Sequence, residues 1–191
     1  MALRLGRIVA AAIVASVTTS AHAAFHLWNF QQIYTDSSGS LQYIQLFDSS
    51  GGQNFVNGQQ ISVADVGATQ THTFTLPGGP LGGNTFNHTL LFGTAGLQAA
   101  GGPVPDYIIP NNFLFAAGGT LTGFSGFFGG PYTALPTDGS NARNFGGGNV
   151  LNSPQNFAGQ SGTVIVPEPA AWSLFGLSGT SFLFFLRSRR K

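Results

Sequence analysis

Two runs of sequence and the turn between them decide the fold class: Phe25-His26-Leu27-Trp28-Asn29-Phe30-Gln31-Gln32-Ile33-Tyr34, then Asp36-Ser37-Ser38-Gly39, then Leu41-Gln42-Tyr43-Ile44-Gln45-Leu46-Phe47. Both runs are rich in aromatic and branched side chains, which suit a pleated, extended backbone. The tetrapeptide between them returns as Asp48-Ser49-Ser50-Gly51. An aspartate can cap a turn with its own carboxylate, and glycine supplies the positive φ that tight turns need. Two such turns bracketing one strand predict an antiparallel meander, continued by residues 55–63. Apolar residues fall on both parities of both runs, so both faces of these strands are expected to be at least partly covered.

Outward from this hairpin the pattern repeats in shorter pieces. Strands are expected at residues 71–76, 85–92, 112–115, 120–124, 132–135 and 163–166. Turn clusters separate them: Pro77-Gly78-Gly79-Pro80, Gly101-Gly102-Pro103 and Gly129-Gly130-Pro131. Short strands with frequent Gly/Pro turns predict an all-β, two-sheet antiparallel sandwich. Residues 138–162, with Gly146-Gly147-Gly148 and little apolar periodicity, read as a long loop with room for one short strand. The segment Gln42-Tyr43-Ile44-Gln45-Leu46-Phe47-Asp48 resembles the second strand of lamin-tail-like domains, which carry glutamates where this chain has Gln42 and Gln45. That resemblance implies an immunoglobulin-like sandwich and no activity.

The ends of the chain are of another kind. Arg4 and Arg7, the apolar run of residues 8–17, and Ala21-His22-Ala23 form the three parts of a secretory signal peptide over residues 1–23, with Ala21 and Ala23 as the small residues at the cleavage site. An uncleaved anchor is the alternative, but the run is short for a span. At the other end, Val166-Pro167-Glu168-Pro169 precedes an uncharged apolar segment, residues 170–186, and then Arg187-Ser188-Arg189-Arg190-Lys191. The two prolines fix φ and press the preceding residues toward extended conformations. The apolar segment, as a helix, would reach roughly 25 Å at ~1.5 Å per residue, the short end for a bilayer. Arg187, Arg189, Arg190 and Lys191 would hold its end in the cytoplasm as a stop-transfer cluster.

This order of extended tetrapeptide, membrane-length segment and basic stop resembles the PEP-CTERM tail of Gram-negative bacterial surface proteins. The resemblance covers residues 166–191. It implies recognition by an exosortase, passage through the inner membrane, and a place on the cell surface or in extracellular polysaccharide. A plain C-terminal anchor without processing is the other reading. Leu135-Pro136-Thr137-Asp138-Gly139 comes near the Gram-positive sortase motif, but has Asp138 where that motif has threonine, so it reads as a turn.

Between the ends, residues 24–165 make one domain. Charged residues are 7% of the chain, and six of the seven basic ones lie in the two terminal segments. One arginine, Arg143, against five aspartates leaves the domain near −4. A basic footprint for nucleic acid is missing. Cysteine is absent, which decides little for a domain able to build a core of this size.

Residue types that carry chemistry are few. His26, His72 and His88 are scattered and lack metal-ligand spacing, so no metal or other cofactor is expected. The two Asp-Ser-Ser-Gly turns lack the alternating carboxylates of a calcium loop. No Gly-x-Ser-x-Gly elbow is present, and nothing selects a carboxyl pair among Asp36, Asp48, Asp65, Asp106 and Asp138. The expectation is therefore a non-enzymatic structural or adhesive surface protein. The alternative is a carbohydrate-binding module or carbohydrate-active enzyme on the same tail. Phe113, Phe115, Phe124, Phe127, Phe128 and Tyr132 would be core in the first case and a stacking platform in the second.

Overall fold

In the computed structural model, residues 25–79 and 81–166 are described. The signal helix and the transmembrane helix expected at the two ends lie outside them. The described chain is almost entirely strand and turn: β1 (Asn29–Thr35), β2 (Gln42–Asp48), β3 (Gln60–Asp65), β4 (Thr71–Thr75), β5 (His88–Gly93), β6 (Tyr107–Ile108), β7 (Gly118–Gly123), β8 (Phe128–Thr133), β9 (Asn141–Asn144) and β10 (Asn149–Leu151), with a short 3-10 turn at Phe124–Gly126. They form a six-stranded sheet in the order β10-β9-β1-β2-β5-β6 and a four-stranded sheet in the order β4-β3-β7-β8.

The β1–β2 hairpin forms as the sequence predicts, with Ile33 opposite Ile44 and a register shift near Gln31. Its turn is built by Asp36, whose carboxylate accepts hydrogen bonds from the Leu41 N–H (3.1 Å) and from Ser38 Oγ (2.5 Å). Gly39 takes φ +70°, and any Cβ there would run into the side chain of Asn112. The second Asp-Ser-Ser-Gly turn is also an Asx-turn: Asp48 accepts from the Ser50 and Gly51 N–H groups and from Thr85 Oγ1. It does not continue the meander, however. After it the chain crosses to the other sheet, and the second neighbour of β2 is β5, not β3. The connection from β4 to β5 crosses back.

Four more expectations differ from the structure. The sandwich is not wholly antiparallel, because β5 and β6 pair in parallel. Residues 112–115 form no strand; they turn and plug the space between the sheets. Residues 163–166 run irregularly, tied by the Ile165 N–H to the Ala100 carbonyl. Residues 138–162 hold a whole hairpin, β9–β10, whose β9 extends the large sheet beside β1.

The main core lies between the sheets. Ile33, Ile44, Leu46, Leu90 and Phe92 from the large sheet face Ile61, Val63 and Leu121 from the small one. Phe30 meets Phe128 across the gap at 4.9 Å between ring centroids. The other face of the large sheet is also buried. Tyr34 and Tyr43 stack there at 5.2 Å, joined by Leu91, Leu97, Ala142 and Val164. The segments after β5 and after β10 cover this face, which is the physical reason for apolar residues on both parities of β1 and β2. The outer face of the small sheet, by contrast, carries Ser62, Thr73, Thr120 and Thr122, and β4 alternates exposed and half-buried positions.

Candidate functional site

At the end of the sandwich that carries the β1–β2 turn, a pocket of about 390 Å³ opens between the two sheets. Three segments build it. The β1–β2 turn supplies Asp36, Ser37 and Ser38, β4 and the turn before it supply His72 and Gln70, and the plug between the sheets supplies Asn112 and Phe115. The plug is held from both sides. Buried Gln42 accepts from the Leu114 N–H (2.9 Å) and donates to the Leu114 carbonyl (3.0 Å). From the small sheet, Tyr132 Oη accepts from the Phe115 N–H and donates to the Phe115 carbonyl, both at 3.1 Å. Asn112 sits at φ +58°, a conformation asparagine tolerates better than most residues.

His72 Nδ1 lies 2.9 Å from the Phe113 carbonyl. A carbonyl can only accept, so Nδ1 is the donor in this contact. The imidazole stacks on Phe115 at 4.6 Å and 22°. The pocket thus combines a flat aromatic wall with a carboxylate, three hydroxyls and three carboxamides, a set suited to a neutral, hydroxyl-rich ligand. Asp36, Ser38 and His72 share it, but they are connected the wrong way for a nucleophilic relay. Ser38 Oγ donates to Asp36, not to His72, and Nδ1 is engaged by a backbone carbonyl.

The other expected groups are spread over the molecule. His26 lies beside Phe25 and Phe127, and His88 beside Phe157. Among the described residues no three His, Cys, Asp or Glu side chains gather as a metal site. Each aspartate is occupied by backbone or side-chain donors. Asp65 caps the β3–β4 turn through Thr69 and Gln70, and these hydrogen bonds hold its carboxyl below the usual range. Asp138 does the same with Asn141 and Ser140, with the same effect, in the turn that the sequence reading assigned to residues 135–139. Asp106 accepts from the Leu91 and Phe157 N–H groups, and burial pushes its carboxyl up. Of the clustered aromatics, Phe113, Phe124 and Tyr132 are core, Phe115 and Phe128 are partly buried, and Phe127 is 59% exposed.

Of the sorting motif, Val166 alone is described. It packs half-buried beside Gly139 and against the Tyr34–Tyr43 cluster. Pro167, Glu168, Pro169, the cleavage-site Ala21 and Ala23, and Arg187, Arg189, Arg190 and Lys191 lie outside the described residues. Of the other pocket residues, Phe115 was among the clustered aromatics singled out in the sequence, while Gln70 and Asn112 carried no signal apart from the readiness of Asn112 to take a positive φ. Compared with family models, curated proteins and solved structures, the chain matches none.

Proposed function

We propose that this chain is an exported surface protein whose PEP-CTERM-like tail is processed by an exosortase, and whose domain has a structural or adhesive, non-catalytic role at the cell surface or in extracellular polysaccharide of a Gram-negative bacterium. In this proposal signal peptidase removes residues 1–23, and the chain is held in the inner membrane only until processing. One observation carries the proposal: the described chain is tied to the domain as far as Val166, the first residue of the motif. Asn152 clamps Val164 through both its amide groups, the Ile165 N–H is bonded to Ala100, and Val166 packs beside Gly139. Pro167-Glu168-Pro169 follows at once. A cut on the C-terminal side of these ties would leave them in place. The aspartates support the non-catalytic half, since all five accept hydrogen bonds that shape loops.

The immunoglobulin-like form of the sandwich, as in lamin-tail-like domains, belongs to the same proposal. It is supported by the crossings from β2 to β3 and from β4 to β5 between the sheets. The test of sorting is replacement of Pro167-Glu168-Pro169 by three alanines. Full-length protein should then accumulate in the inner membrane. Arrival of that variant at the surface with the normal mass would sink the proposal.

The pocket favours a second reading, a carbohydrate-binding or carbohydrate-active module on the same tail. Retention of the protein on isolated extracellular polysaccharide, lost in Phe115→Ala, would support it. Equal retention of that variant would remove the pocket from consideration.

A further inference from the structure

The two sheets have four edges among the described residues, and three of them are poor templates for pairing. β6 is two residues long and β10 three. β8 contains Pro131, which has no N–H, and Gly129 at φ +131°. Short strands, proline and irregular backbone are the usual guards of a sheet edge. The remaining edge, β4, has none of these. Its sequence Thr71-His72-Thr73-Phe74-Thr75 is regular, uncharged and free of proline and glycine.

Its backbone direction follows from the hairpin to β3. The Asp65 N–H donates to the Gln70 carbonyl and the Leu76 N–H to the Gln59 carbonyl. With a period of two, Gln70, His72, Phe74 and Leu76 bond to β3, so the N–H and C=O groups of Thr71, Thr73 and Thr75 face the open edge. The side chains divide the other way. His72 and Phe74 turn inward against Phe115, Phe92 and Tyr107, while all three threonines are exposed.

We infer that β4 is a homophilic pairing edge, on which a second copy of this chain adds its own β4 antiparallel about a two-fold axis through Thr73. The strand is self-complementary in that register. Thr73 meets Thr73 of the second copy, and Thr71 meets Thr75 of the second copy. These are the hydrogen-bonded positions, each exchanging two backbone bonds. Threonine therefore faces threonine at every outward position, and His72 comes opposite Phe74 of the second copy, ring beside ring. No charge on either strand opposes the approach. The result is one continuous eight-stranded sheet shared by two copies.

The chain has no cysteine, so an engineered cysteine reports on a single position. Thr73 of the two copies would have Cα atoms about 5.5 Å apart in a hydrogen-bonded pair, within disulfide reach. Purified full-length Thr73→Cys should form a covalent dimer under mild oxidation, and Thr122→Cys, on the interior strand β7, should not at the same concentration. Sedimentation equilibrium of the unmodified chain in mild detergent should show twice the monomer mass, and Thr73→Pro should return it to monomer mass with its far-ultraviolet spectrum intact. A monomeric unmodified chain, a dimer that survives Thr73→Pro, or equal cross-linking at positions 73 and 122 would overturn the inference. If Thr73→Pro does not fold, the cysteine pair and the mass of the unmodified chain decide it.

Discussion

Gln42 shows how a chain with almost no charge holds itself together. Its amide both donates to and accepts from Leu114, and donates to Thr35 Oγ1 as well. Asn152 makes the same two-way clamp on Val164, and Gln45 Oε1 accepts from the Gln155 N–H. Asn156 joins Val104 to Gln160. A carboxamide can satisfy both a backbone N–H and a backbone C=O, whereas a carboxylate can only accept. This accounts for carboxamides rather than carboxylates at Gln42 and Gln45. Gln42→Glu should therefore cost on the order of 2 kcal/mol at neutral pH, since two donations are lost and two oxygens face a buried charge. Burial would raise the pKa of the introduced carboxyl in the folded state above its unfolded value. Stability should then recover as pH falls below that raised pKa, and urea unfolding at pH 4 and pH 7 would check it. A variant equally stable at both, and equal to the parent, would deny the clamp.

Among the elements, the plug at residues 113–115 matters most for the pocket. Its Phe-Leu-Phe run reads as a strand in the sequence, because alternation and burial are all that a short run reveals. In the structure Phe113 and Leu114 are buried as expected, but the backbone groups of Leu114 and Phe115 pair with the Gln42 and Tyr132 side chains, not with a neighbouring strand. The opposite miss is β9–β10. Its inward residue is the small Ala142, and Asn152 rather than a large apolar side chain secures the chain that follows, so no hydrophobic period marked it. The β1–β2 hairpin and both Asx-turns were legible because their signals are local. The crossings between sheets were not, since a turn sequence does not specify which sheet receives the next strand. For the same reason Asp36 and His72 could be named from sequence but not placed in one pocket with Gln70, Asn112 and Phe115. Tyr132→Phe tests the plug directly. It leaves the Phe115 N–H and C=O without their partner and should cost about 1–3 kcal/mol, with loosening confined to residues 112–116. Hydrogen exchange at Phe115 should accelerate; unchanged exchange there would show that the tether is not what holds the plug.

At the scale of the whole molecule, the scarcity of charge and the burial of the tyrosines move the pH limit of stability to the alkaline side. Arg143 donates to the Ala134 carbonyl and not to a carboxylate, so the fold does not rely on an arginine–aspartate pair there. The carboxylates pull in different directions in acid: hydrogen bonds hold Asp65 and Asp138 low, while burial raises Asp106. The tyrosines all pull one way. Burial raises all four phenols, Tyr34 and Tyr132 to about 12 and Tyr43 and Tyr107 also upward, with Asp36 and Asp138 adding to the effect at Tyr34. In the unfolded chain these phenols ionise near pH 10. The folded state therefore binds the phenolic protons more tightly, and the unfolded state loses them first as pH rises. The stabilisation is fully present below about pH 10 and is lost progressively as pH climbs through 12. Base should unfold the domain cooperatively in that window, with phenolate absorbance rising in the same step in which the far-ultraviolet β-sheet signal disappears. Tyr43→Phe removes the phenol that stacks on Tyr34 and donates to Gln32, so it should lower stability at pH 7 yet flatten the alkaline decline. Phenols that titrate one by one near pH 10 in a still-folded protein would show that these rings are open to water, against the buried positions of Tyr34, Tyr43 and Tyr132.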